Sequence, residues 1–197
     1  MRAEPSRRER KKLDAMRHIQ RTALDLFDEN GYINVTIERI AAVAEVSPSS
    51  IYRYFGTKEQ LVLFDEYDPI LFDALERELV DHDILTAMQN ALSSSFRELL
   101  RAEEGFIRRR MRYAIGEPTV HAGMLQQVEE TEIALRELFA RYSRWSADDL
   151  ELRIVAAVQT AALMATLTYW HETQYREPLD EVIDRTFARL AAGIRLD

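Results

Sequence analysis

Apolar residues recur at intervals of three and four along most of this chain, and almost nowhere in alternation. Met16, Ile19, Ala23 and Phe27 form one such stripe, widened by Leu24, and that period belongs to helices buried on one side. The punctuation agrees. Ser6-Arg7-Arg8-Glu9 has the pattern of a capping box, in which a hydroxyl and a carboxylate satisfy free amides at a helix start. Asn30-Gly31 can end that helix by taking positive φ. Thr36 caps a short helix over residues 37–44, and Glu45-Val46-Ser47 connects it to another. Ser47-Pro48 is N-cap followed by first helical residue, and Gly56 stops that helix after Phe55. Thr57-Lys58-Glu59-Gln60 opens the next as a second capping box.

Beyond it, Asp68-Pro69 marks a restart capped by Asp68. Further helices are predicted over residues 83–102 and 106–115 with Gly105 as a joint, then 120–142, 146–174 and 179–194. The pattern predicts an all-α fold of about nine helices, with no strand and no internal repeat. Six glycines and five prolines in 197 residues fit it, because an all-β chain needs more turns.

A hydrophobic fraction of 47% and a charged fraction of 30% are those of a globular chain. The absence of cysteine excludes disulfides, thiolate metal ligation and a Cys nucleophile. The charged start has no signal-peptide core behind it. The longest apolar stretch, around residues 154–170, is interrupted by Gln159, Thr160, Thr166 and Thr168, which favours a buried helix over a membrane span. A cytoplasmic protein without a membrane partner is expected. Enzyme signatures are missing: the glycines never cluster as a phosphate loop, no G-x-S-x-G occurs, and His18, His82, His121 and His171 stand far apart. No catalytic residue, metal or cofactor is therefore assigned.

Charge divides the chain. The net value is −8, yet residues 1–58 carry +3 and residues 59–197 carry −11, and Lys11, Lys12 and Lys58 are the only lysines. Such asymmetry points to a nucleic-acid contact at the basic end. Two short helices joined by three residues have helix-turn-helix spacing there. In the second, Ile51 and Phe55 can pack inward, leaving Ser49, Ser50, Tyr52, Arg53 and Tyr54 on other faces. Small hydroxyls can approach base edges, while Tyr hydroxyls and a lysine suit phosphates.

The whole stretch TALDLFDENGYINVTIERIAAVAEVSPSSIYRYFGTKEQLVLF closely resembles the N-terminal domain of the TetR family of transcriptional repressors. LFDENGY, the T-x-x-x-IA start of the second helix, VSPSSIYRYF and GTKEQL fall in order and at the family's spacing. The resemblance implies a DNA-binding domain over residues 1–58 and a ligand-binding and dimerisation domain over 59–197. It implies DNA contacts from Thr36, Ser47, Ser49, Ser50, Tyr52, Arg53, Tyr54 and Lys58, with Thr36 capping at a phosphate and Lys58 as the phosphate lysine. Arg53 replaces what is often a polar or aromatic residue, and Arg7, Arg8, Arg10, Lys11 and Lys12 form a basic arm before the head.

For the body, helical spacing along the last two helices offers Leu152, Val155, Gln159, Leu163, Val182, Thr186, Phe187 and Leu190 as a dimer face. Phe106, Arg109, Arg110, Tyr113, Met124, Trp145 and Trp170 are the expected effector-pocket residues. The segments YDPILFDAL and RRRMRYAIGEPTV look like the C-terminal domain of TetR-family members related to the mycofactocin-system regulator, a subgroup that implies an acyl-CoA-like ligand with arginines on its phosphates. The expected protein is a repressor that binds a palindromic operator as a homodimer and is released by a small hydrophobic or acyl-CoA-like effector. The alternatives are a drug sensor controlling an efflux gene and, remotely, a helical enzyme.

Overall fold

A computed structural model describes residues 6–93 and 97–193, which hold ten α-helices and no strand. They are α1 (Arg7–Asn30), α2 (Ile37–Val43), α3 (Pro48–Phe55), α4 (Gln60–Leu63), α5 (Asp68–Glu78), α6 (Ile84–Ser93), α7 (Arg97–Gly116), α8 (Pro118–Arg141), α9 (Leu150–Glu172) and α10 (Leu179–Ala191). The count exceeds the expected nine by one. Asp68 is the first residue of α5 instead of its cap, with Pro69 inside the first turn. Gly105 is not a joint: α7 runs through it. This glycine is exposed with open space where a Cβ would stand, so it costs only the ~1 kcal/mol of a helical glycine. The last residue of the expected final helix, 194, lies outside the described residues.

The chain divides into two compact units. The first combines residues 1–66 with 113–123, so it extends past Lys58 and takes in a distant segment. The second combines residues 67–112 with 124–197.

In the first unit Ile19, Leu24, Phe27, Ile40, Ile51 and Leu61 are fully buried. The capping box closes α1, with Glu9 accepting from the Ser6 amide at 2.7 Å and Ser6 Oγ accepting from the Glu9 amide at 3.3 Å. Gln20 Nε2 donates to the Phe64 carbonyl at 2.9 Å, fixing the exit of α4 against α1. Tyr113 donates its hydroxyl to Asp28 Oδ1 and sets its ring edge-on to Phe27. Gly123 allows α8 to come close to α4, because a Cβ there would lie 2.9 Å from Leu63 Cδ1.

The second unit buries Trp170, Phe139, Phe187, Leu75, Leu152 and Leu179 almost completely. Polar ties fasten its helices. Arg97 and Ser93 both donate to Asp184, Arg101 donates to Asp180 at 2.9 Å, and Thr166 and Thr186 meet at 2.7 Å between α9 and α10. The α9 helix has 23 residues and is apolar enough, by length and composition, to cross a membrane. Its inner side packs Leu152, Ala156 and Trp170 into the unit, while Leu150, Ile154, Val158 and Tyr169 remain exposed.

The link between α2 and α3 decides how the second helix is presented. Val46 donates its amide to the Ala41 carbonyl at 2.9 Å, and Ala44 donates to Ile40 at 2.8 Å. Glu45 lies between them at φ 55°. This is a Schellman-type ending with a glutamate where glycine is ordinarily favoured, and a left-handed L-residue costs ~1–2 kcal/mol. Glu45→Gly should therefore stabilise the protein by about 0.5–1 kcal/mol after the added unfolded-chain entropy of glycine. Urea titration of the two proteins checks this, and an unchanged or lower midpoint would contradict it.

Candidate nucleic-acid interface

The helix α3 has eight residues and is held at three points. Ser47 Oγ accepts from the Ser50 amide at 3.2 Å as its N-cap, Ile51 and Phe55 are buried beneath it, and Gly56 ends it at φ 76°. Phe55 also meets Phe64 edge to face at 5.6 Å. What remains is an outward surface. Ser47, Ser49, Tyr52 and Arg53 are exposed, while Ser50 and Tyr54 are half-buried. The three serine hydroxyls gather at the helix start, with Ser47 Oγ at 2.9 Å from both Ser49 Oγ and Ser50 Oγ. Such hydroxyls can turn to donate or accept. The helix start also adds free amides and a positive dipole end to this polar corner. Thr36, exposed, caps α2 by accepting from the Arg39 amide at 3.2 Å.

Beside α3 lies the start of α1. Arg8, Lys11 and Lys12 line a groove of about 630 Å³ together with Arg53 and Tyr54 of α3 and with Glu9. The basic arm is thus, from Arg7 onward, the opening of a helix. Four cations face one acid, and the Glu9 carboxylate is already bound to Ser6, whose bonds hold its pKa below the usual range. The Arg53 guanidinium stacks over the Tyr54 ring at 4.9 Å. Sequence order alone does not bring Arg53 to Lys11 and Lys12; packing does.

Lys58 is placed differently. Its ammonium donates to the Tyr32 carbonyl at 2.5 Å and sits 4.1 Å from the centre of the Tyr32 ring. Burial lowers its pKa, opposed by the negative charges of Glu59 and Glu117. The Tyr32 hydroxyl donates to Glu59 at 3.3 Å, and burial followed by that carboxylate drives its pKa well above the tyrosine range. Tyr32 closes the LFDENGY motif, but local sequence gives its side chain no role of its own beyond marking, after Asn30-Gly31, the chain's turn toward α2.

Seven residues were expected at an effector pocket. Tyr113 belongs to the first unit, on Phe27 and Asp28. The other six belong to the second. Arg110, Met124 and Trp170 are buried there, Phe106, Arg109 and Trp145 half-buried. Of the neighbouring arginines, Arg97, Arg101 and Arg108 are paired with Asp184, Asp180 and Glu104. Among the described residues no three His, Asp or Glu gather as a metal site.

The eight residues expected at a dimer face are also sorted by burial. Leu152, Gln159, Val182 and Phe187 are buried inside their own chain, and Val155, Leu163, Thr186 and Leu190 are half-buried. The outward apolar stripe of α9 is instead Leu150, Ile154, Val158, Ala161, Ala165 and Tyr169. Both stripes have the same period, so spacing did not tell the inner from the outer. A shallow groove of about 560 Å³ beside the outer one is lined by Ala162, Ala165, Thr166 and Tyr169 of α9 and by Val182, Arg185, Thr186, Arg189 and Leu190 of α10, so Val182, Thr186 and Leu190 of the expected dimer face border it.

Comparison with known proteins gives two family matches. Residues 19–63 match the model for bacterial regulatory proteins of the tetR family, and residues 82–195 match the MftR C-terminal domain. The transcriptional regulator TcmR of Streptomyces glaucescens is 31% identical over 179 residues, covering 85% of this chain and 77% of that protein. Among solved structures, the repressor SmeT of Stenotrophomonas maltophilia in complex with triclosan is 20% identical with a TM-score of 0.59, covering 93% of this chain and 95% of that one. The repressor FadR of Thermus thermophilus with lauroyl-CoA is 18% identical with a TM-score of 0.55, over 92% and 96% of the two chains.

The buried tyrosine generates a pH prediction. The folded protein keeps the Tyr32 proton where the unfolded chain gives it up, so stability from this group is present below about pH 10 and is lost as the pH rises above it. Tyr32→Phe should lessen the loss of stability between about pH 9 and 11. Thermal melts across that range test it, and identical pH slopes in both proteins would refute it.

Proposed function

This chain belongs to the TetR family of bacterial transcriptional regulators, and from that premise we propose that it is a ligand-responsive repressor that binds a palindromic operator as a homodimer. The observation that carries the reading is the outward surface of α3 with its hydroxyls, Tyr52 and Arg53, continuous with the cationic groove of Arg8, Lys11 and Lys12. Arg53 and the first turns of α1 track phosphate oxygens, while Ser49, Ser50 and Tyr52 meet base edges and flanking phosphates. Thr36 and Ser47 hold the two helix starts against the backbone. Lys58 contributes by fixing Tyr32 beneath the interface and reaches a phosphate only by leaving that carbonyl.

Two copies are needed for a palindrome, because two heads then read half-sites about one DNA turn apart. The exposed α9 stripe and the groove beside α10 supply a face for the second copy, forming a four-helix contact. An exposed apolar patch of this kind on a protein otherwise rich in charge favours such an interface.

The second unit takes the effector. A ligand that binds one conformation of this unit better than another shifts the dimer away from its operator-competent state. Lauroyl-CoA in FadR and triclosan in SmeT mark the two chemical options, an acyl thioester and a hydrophobic drug. Here Arg97, Arg101 and Arg108 are occupied by carboxylates, which weighs against a phosphate-rich ligand at those positions and toward the hydrophobic option. The protein acts in the cytoplasm on its own DNA.

DNase footprinting with the purified full chain tests the repressor reading. A protected palindrome next to its own gene is expected, and none would overturn it. On that site Arg53→Ala should lower affinity by about 1–3 kcal/mol and reduce the steepness of the salt dependence. Titration at several salt concentrations reads both, and unchanged affinity would reject the placement of α3. Val158→Glu puts a charge in the middle of the α9 stripe. It should convert the dimer to monomer in analytical ultracentrifugation and weaken operator binding about tenfold or more, whereas a persistent dimer would move the interface elsewhere.

A further inference from the structure

Gln159 lies in the middle of α9 and is 3% exposed, and neither its amide nitrogen nor its carbonyl oxygen has a hydrogen-bond partner. It occupies the inner stripe of the helix. Ala156, one turn before it, belongs to the apolar cluster that contains Phe139 and Trp170, and Leu163, one turn after it, packs against that cluster, as does Met111. Its neighbour Thr160 is equally interior, but the Thr160 hydroxyl is satisfied by the carbonyls of Ala156 and Ala157. Thr166 is likewise satisfied, by Ala162 and Thr186. The carboxamide of Gln159 is therefore the exception on its own helix. Buried polar groups are nearly always paired, and an unpaired one destabilises the fold unless something else supplies its partner.

We propose that Gln159 is the polar recognition group of the effector site. Its ligand is then a neutral, mainly apolar molecule that presents a hydrogen-bond donor and acceptor side by side. The chemistry follows from the side chain. A carboxamide offers two N–H donors and one accepting oxygen, so a primary amide, a lactam or a hydroxy-carbonyl group can answer it in both senses. Hydrocarbon alone leaves both ends unpaired. Gln159 brings no charge of its own to balance an ionised group, which therefore gains nothing from it. Sites built this way reject analogues that lack the matching polar group far more strongly than analogues that lack a methylene. The inference rests on the reading that the second unit holds a small effector, and it narrows that effector to one class.

The test uses the full-length protein, Gln159→Leu and Gln159→Met, with three probes of matched size: 4-butylbenzamide, 4-butylacetophenone and 1-butyl-4-isopropylbenzene. They present donor and acceptor, acceptor only, and neither. Calorimetric titration should rank them in that order for the unaltered protein, with about a tenfold or greater preference for the amide over the hydrocarbon. In both variants the ranking should flatten or invert. Without any probe the variants should melt roughly 2–4 °C higher, because an unpaired amide has been removed from the interior. A flat ranking in the unaltered protein, a preference that survives in the variants, or variants that melt lower would each overturn the assignment. If the assignment falls while lauroyl-CoA or triclosan still releases the operator in a footprint, the ligand-responsive reading stands without Gln159. If no compound releases the operator, that reading falls as well.

Discussion

An eight-residue helix does not persist in water by itself, since forming the first turn fixes several residues for one hydrogen bond. Several contacts in the first unit serve the presentation of α3 despite that fact. Ser47 satisfies the Ser50 amide, Ile51 and Phe55 anchor the helix from below, and Phe64 meets Phe55 edge to face. The preceding turn is fixed by two backbone bonds around Glu45, which accepts an unfavourable backbone conformation to aim the helix. With its inward positions committed to packing, the helix has only its polar outward positions to offer a partner. The function of the head is therefore a by-product of how little of α3 the core requires.

Much of this was legible in the residues. Ser6-Arg7-Arg8-Glu9, Thr36 and Ser47-Pro48 each marked a helix start that the structure contains, because capping is local chemistry within four residues. The inward pair Ile51 and Phe55 followed from one spacing. Long-range placement was not legible. Nothing local says that the guanidinium of Arg53 borders Lys11 and Lys12, or that Lys58 turns toward the carbonyl of Tyr32. Nor could period alone orient α9. A helix apolar on most of its circumference has more than one stripe of the right spacing, and Leu152, Ala156 and Gln159 went inward while Ile154 and Val158 stayed out. Gly105 was misleading for the opposite reason: its small local penalty is overruled by the helix on both sides of it.

Charge works by arrangement more than by sum. The net −8 belongs mostly to the second unit, where arginines and acids are paired across helices, as in Arg97 with Asp184 and Arg101 with Asp180. Those pairs hold α7 to α10. In the head the cations of α1 and α3 stand together on one groove with a single, already engaged carboxylate among them. The +3 of residues 1–58 is thus concentrated where a polyanion would lie, and the acidic remainder disfavours contact with it anywhere else.

Both tryptophans, Trp145 and Trp170, belong to the second unit, and the first has none. Trp170 is wholly enclosed, its indole N–H donating to the Glu177 carbonyl at 2.8 Å. Light absorbed at the red edge of the aromatic band is therefore emitted from one half of the molecule alone. Emission colour and lifetime follow the solvation and packing of the body while staying blind to the head, which speaks only through its tyrosines. With no cysteine anywhere in the sequence, a single thiol introduced on the head would be a unique attachment point for a dye. The protein is in effect already divided into two spectroscopic channels, so events in each half can be timed separately in one sample.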